Sequence, residues 1–157
     1  MNQGQFKMEF KGIPDLVRNL QTLPDKLQKS AEKAVLRAGA VPIRKAAKRN
    51  AAKSKDTGLL MKSIGLSVKK VKGTTSARVG PRSMRQTVTR TNKKTGRKYQ
   101  EIADPNKYSH LVEYGTAHSA AKPFIRPAVD QTQDEILSAM ATGLDKHLTR
   151  QVAKLKR

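Results

Sequence analysis

The sequence predicts an α+β domain: a small antiparallel sheet packed against two long helices, with an extended basic β-arm or loop added. Three observations predict it. Residues 24–47 and 130–156 carry apolar side chains at helical spacing, and two short runs between them alternate apolar and polar residues at the period of a strand. The third is a block, residues 57–100, with twelve Lys or Arg and no acid. At 157 residues the chain suits one domain, 1–157, with residues 82–104 as the basic insertion.

Taken in order, residues 5–11 alternate Phe6, Met8 and Phe10 with charged residues, which reads as a short strand with one buried face. After Gly12, Ile13, Leu16, Val17 and Leu20 share a helical face, with Pro14 and Asp15 in its first turn. Pro24 opens a longer helix with a small-residue stripe: Leu27, Ala31, Ala34, Val35, Ala38 and Val41. Pro42 is expected to kink or split it. Arg44, Lys45, Lys48, Arg49, Lys53 and Lys55 then form a basic face, read either as solvated or as meeting phosphate or acidic protein.

Ile64, Leu66 and Val68, then Ala77 and Val79, give the two arms of a hairpin, its loop longer than the tightest turns and its register open. Gly80-Pro81 ends it. Within residues 82–104, Thr87-Val88-Thr89 and Lys98-Tyr99-Gln100 favour strand, and residues 92–96 favour a turn. The last helix, expected over 130–156, keeps Val129, just before it, with Ile136, Leu137, Met140, Leu144, Leu148, Val152 and Leu155 at helical spacing. Its acids lie early and its lysines late, as the helix dipole favours.

Residues 108–130 stand apart. They hold two of the three tyrosines and two of the three histidines. Asp104-Pro105 before them is a helix opening, since Asp caps and Pro pre-sets the first turn. Tyr108, Leu111 and Val112 share a face, and Gly115 closes the element. Pro123 and Pro127 bracket Phe124 and Ile125, which reads as an extended apolar pair.

Composition narrows the function. Lys and Arg outnumber Asp and Glu by 33 to 12, a net charge of +21, which calls for an anionic partner: nucleic acid first, acidic protein second, anionic membrane third. Without cysteine there is no disulfide, thiolate nucleophile or cysteine-ligated metal. No apolar run approaches the ~20 residues that span a bilayer, and the first ten residues lack the apolar centre of a secretory signal. The expectation is a product made and used without export.

Chemistry-bearing constellations are weak. His110 and Glu113 are three apart, with His118 nearby, but the spacing matches no specific zinc signature. Ser109 and Ser119 lack a nucleophile elbow. Neither Gly115-Thr116 nor Thr57-Gly58 has the spacing of a phosphate loop. The expectation is no catalysis, no metal and no cofactor. Any DNA contact would be to phosphates, without base choice, through Arg82, Arg85, Arg90, Lys93, Lys94, Arg97 and Lys98. An acidic protein partner is the alternative for the same residues.

In this order the landmarks resemble a family of long-tailed bacteriophages, the tail-completion or head–tail joining (neck, minor tail) proteins. The resemblance is carried by an opening strand before Gly12-Ile13-Pro14-Asp15-Leu16, by Thr57-Gly58-Leu59-Leu60 with Ser63-Ile64, and by Val79-Gly80-Pro81. Most specific is Tyr108-Ser109-His110-Leu111-Val112-Glu113-Tyr114-Gly115-Thr116 with Lys122-Pro123-Phe124-Ile125-Arg126-Pro127-Ala128. It spans roughly residues 6–81 and 107–150. The sequence departs from it at residues 52–56, where the family commonly has a proline, and at 82–104, to which the resemblance assigns no role.

The resemblance implies an α+β structural protein of the virion neck, assembled in the host cytoplasm. It implies a ring, hexameric in preference to dodecameric, that completes the tail and joins it to the DNA-filled head. Expected partners are copies of itself and neighbouring connector, terminator or tube proteins, with packaged DNA in the channel and no membrane. Ring closure needs a heterologous contact, for which Tyr108, Leu111, Glu113, Tyr114, Phe124, Ile125 and Arg126 are the candidates; the alternative is that they pack inside their own subunit. As an interface residue, Phe124 cut to Ala would block assembly and leave the monomer folded. The competing function is a nonspecific nucleic-acid-binding protein; a metal-dependent enzyme on His110, Glu113 and His118 is weaker.

Overall fold

A computed structural model of the chain describes residues 13–53 and 58–155. The strand expected at residues 5–11 lies outside the described residues, as do Lys55 and Thr57. The fold is α+β, as expected, but it carries two small antiparallel sheets rather than one.

The structure turns on its longest helix. After α1 (Ile13–Gln21), α2 (Asp25–Ala52) runs 28 residues, unbroken through Pro42. Losing one helical hydrogen bond to proline costs about 3 kcal/mol. Here Pro42 is itself buried, and α2 is packed by β1, β2, α5 and α6 on several sides, which outweighs that cost; the expected split does not occur. The first half of α2 places Ala31 and Val35 in a cluster with Leu20 of α1 and with Met140 and Leu144. The second half places Ala46, Ala47 and Ala51 against Leu60, Ile64, Phe124 and Ala128. An alanine-rich helix buried along both halves suits a chain so poor in rings.

Downstream, α3 (Leu59–Ser63) leads into β1 (Ile64–Val71), which pairs with β2 (Thr74–Pro81) in register from Ile64 opposite Pro81 to Val71 opposite Thr74. The connection is shorter than the sequence suggested. Lys72 and Gly73 form a two-residue turn at φ 47° and 83°, the primed geometry that matches strand twist. The second hairpin is β3 (Gln86–Thr91) with β4 (Lys98–Ala103). Val88 and Ala103 at its base bury against Leu59 and half-buried Tyr108.

Next come α4 (Pro105–Tyr114), α5 (Arg126–Asp130) and α6 (Gln133–Leu155). The single helix expected over 130–156 is broken at Thr132, because the buried Thr132 hydroxyl donates to the Ala128 carbonyl at 2.8 Å while its amide donates to Val129 at 3.1 Å. That tightened turn ends α5, and α6 restarts antiparallel to α2. Gly143 is where the two helices touch: a Cβ there would overlap Ala38, so this glycine is a close-packing point. Farther along, Ser30 of α2 meets His147 Nε2 at 2.9 Å.

Candidate functional site

The conspicuous segment 108–130 is built around one carboxylate. Asp104 caps α4, accepting from the Asn106 amide at 3.1 Å, and Pro105 takes the first turn as the sequence predicted. Nine residues on, Glu113 is buried. Its Oε2 accepts the amides of Phe124 (2.8 Å) and Ile125 (3.1 Å), and its Oε1 accepts that of Arg126 (3.1 Å). Those amides open α5, where N–H groups lack helical partners and attract negative charge. Glu113 thus sews the end of α4 to the start of α5. Gly115 permits the return: at φ 79°, ψ −178° it lies in a region essentially reserved for glycine, with the Ala121 amide and Ser119 carbonyl where a Cβ would sit. Lys122 then donates to the Val112 carbonyl at 2.8 Å.

This clamp sorts the seven interface candidates into two groups. Phe124, 2% exposed, points into the core; Glu113 is buried, and Tyr108 and Ile125 are half-buried against the core. Ile125 has helical backbone rather than the extended form expected between the prolines. Leu111 and Tyr114, by contrast, are 45% and 57% exposed. The Arg126 guanidinium lies 4.6 Å from the Tyr114 ring centre, a cation–π contact that holds both side chains at the surface. Glu113 was legible as a residue but not as a clamp, since its partners are backbone groups that no side-chain pattern announces.

The basic candidates also divide. Arg82 lies over Gly65 and donates to the Leu66 carbonyl, while its amide donates to Ser63, so it belongs to the first sheet. Arg90 pairs with Glu101 across the second hairpin at 3.3 Å. Arg85, exposed, acts on the Asp104 carboxylate through its charge. Lys93, Lys94, Arg97 and Lys98 crowd the exposed turn between β3 and β4.

Asp104 ties the two ends of that hairpin together. It accepts the Ser83 hydroxyl at 2.9 Å and the Met84 amide at 3.3 Å besides capping α4. The Ser83 hydroxyl does most to hold its carboxyl below the usual 3.8; burial opposes this, and the Asn106 and Met84 amides and the Arg85 charge add to it. A depressed carboxyl stabilises the fold above its unfolded value, and that contribution is lost as pH falls through the folded one. Asp104→Asn is therefore expected to lower the urea midpoint near neutral pH, with the gap to the parent closing in acid. A gap of constant size down to the acid limit would show that charge has no part in it.

The metal constellation does not form. Both Glu113 oxygens are taken by amides, His110 and His118 are exposed, and no group of three or more metal-ligating residues comes together among the described residues. An apolar groove of about 370 Å³ opens between α1, α2 and the first hairpin turn; its acid, Glu32, accepts the Thr75 hydroxyl at 3.0 Å. Among the described residues no helix is long and apolar enough to cross a membrane.

Comparison with known proteins places the chain beside a phage family. A family model described as "Bacteriophage HK97-gp10, putative tail-component" matches residues 15–115, nearly two thirds of the chain. The matched span runs from the first turn of α1 through α4, including Glu113, and ends at Gly115. No curated protein and no solved structure gives a significant match.

Proposed function

The chain belongs to the HK97-gp10-like family of bacteriophage tail components, and from that premise we propose that it is a structural protein of the phage neck. It forms a ring, a hexamer in preference to a dodecamer, that completes the tail and joins it to the DNA-filled head. It is built in the host cytoplasm and carries no catalysis.

The observation that carries the ring reading is the Leu111–Tyr114–Arg126 surface. A soluble monomer has no need to fix a tyrosine and an arginine against each other at the surface, beside an exposed leucine, on a helix clamped by a buried carboxylate. Tyr and Arg are the residue types that dominate interface energetics, and a rigid patch loses little entropy when a second copy covers it. Closure into a ring asks this patch to meet a different surface of the next subunit.

Leu111→Ala with Tyr114→Ala is expected to weaken each subunit contact by about 2 kcal/mol or more, roughly 30-fold, with the monomer fold intact. Mass measurement of the purified protein against concentration checks it, with circular dichroism as the fold control. Micrographs of lysates from a phage lacking this gene check the role itself: filled heads and finished tails lying apart are expected. Normal infectious particles would sink the neck assignment and favour the other reading, a nonspecific nucleic-acid-binding protein, which the net charge of +21 motivates.

A further inference from the structure

We propose that the tip of the β3–β4 hairpin is a contact for the phosphate backbone of duplex DNA, made by Lys93, Lys94, Arg97 and Lys98. Binding at the tip does not depend on the ring; the neck reading adds only where that DNA is met, in the channel between head and tail.

Three observations converge on these four residues. First, two other cations of the segment are engaged within the subunit, Arg82 on the first sheet and Arg90 with Glu101, and the charge of a third, Arg85, acts on the Asp104 carboxylate. The tip cations are exposed and have no ion pair with another described residue. Second, the turn that carries them is fixed. Asn92 Oδ1 accepts the amides of Lys94 (2.9 Å) and Thr95 (3.2 Å), its carbonyl accepts Gly96 at 2.8 Å, and its amide donates to Arg97 at 2.9 Å. Charge held on an ordered backbone loses less entropy on binding than the same charge on a mobile tail.

Third, the chemistry of the outer hairpin selects between the two anionic partners. Residues 91–98, the tip from one strand partner to the other, are Thr, Asn, Lys, Lys, Thr, Gly, Arg and Lys, without one apolar side chain; exposed Tyr99 follows one position below. A protein interface wants a desolvated apolar or aromatic centre and is depleted in lysine. Phosphate contact wants Lys, Arg, hydroxyls, amides and backbone N–H groups, which is this composition. A two-stranded ribbon also fits the ~12 Å width of the major groove. Contacts of this kind position the backbone without reading bases, so binding should be indifferent to sequence.

The test is fluorescence anisotropy of the full chain with a short DNA duplex across a salt series. Neutralising about four phosphates should steepen log K against log salt by 3 to 4, about a 100-fold loss of affinity between 50 and 200 mM from these contacts. Lys93→Ala, Lys94→Ala, Arg97→Ala and Lys98→Ala together are expected to remove that slope, equally for unrelated duplexes. Lys26→Ala, Lys29→Ala, Lys33→Ala and Arg37→Ala, the same charge taken from the exposed face of α2, should leave most of it. Equal loss in both variants would overturn the inference in favour of diffuse attraction by the whole chain. Tip-dependent binding of poly-glutamate in place of duplex would overturn it in favour of an acidic protein. A Leu111 and Tyr114 double variant that no longer forms rings but keeps the tip-dependent slope would support it, and separates its fate from that of the neck reading.

Discussion

Phe124→Ala is expected to destabilise the fold by about 3–5 kcal/mol, the range for emptying a buried aromatic site. Phe124 heads the fully buried side chains by volume, and its neighbours are Ala46, Ala47, Ala51, Leu60, Ile64 and Ala128. Four of those are alanines, too short to fill the hole, while half-buried Met61, Val79 and Tyr108 pack against the same cluster and can relax into part of it, so the cost should fall within that range. Against the 5–15 kcal/mol of a typical domain this is a large fraction. Urea unfolding should show a lower midpoint with the slope unchanged. Phe124→Leu, which keeps most of the volume, should cost under about 1.5 kcal/mol. This reverses the expectation drawn from the sequence, in which loss of the ring would spare the monomer. If the alanine variant unfolds at the parent's midpoint while assembly fails, Phe124 is a surface residue after all.

Glu113→Ala should cost about 3 kcal/mol or more. It strands three amides that open α5, each of which otherwise receives a bond from a charged acceptor. Glu113→Gln is the sharper experiment because it keeps the shape. One carbonyl oxygen remains for the amides, and an NH₂ now faces a donor, so a loss of about 2 kcal/mol is expected. Hydrogen exchange locates the effect: protection of the Phe124, Ile125 and Arg126 amides should drop more than that of the α2 core. Uniform loosening would mean that Glu113 acts on global stability alone and does not hold the α4–α5 connection. Because Leu111, Tyr114 and Arg126 sit on either side of that connection, a loosened clamp should also weaken self-association.

Much of this architecture could be read from the chain because local rules govern it. The Asp104-Pro105 opening of α4, the helical spacing of α1 and α6, the alternation of the first hairpin and the strand-favouring residues of the second depend on neighbours within a few residues. Those forces act wherever the segment is placed. The concentration of four cations at residues 93–98 was equally plain, as was the likeness of residues 108–128 to the phage family.

Tertiary structure decided the rest, wherever the deciding partner lay far along the chain or was backbone. Pro42 breaks helices on its own, yet burial on several sides of α2 holds the helix together. Thr132 looks compatible with one continuous helix until its hydroxyl takes the Ala128 carbonyl. Leu111 and Tyr108 share a helical face in projection, but where the core ends leaves one outside and the other half inside. Glu113 could have met any of thirty-three lysines and arginines; it took three amides instead, because the turn at Gly115 delivered them to a buried carboxylate that needed partners. Periodicity tells which side chains want burial, and only packing against distant segments tells which of them obtain it.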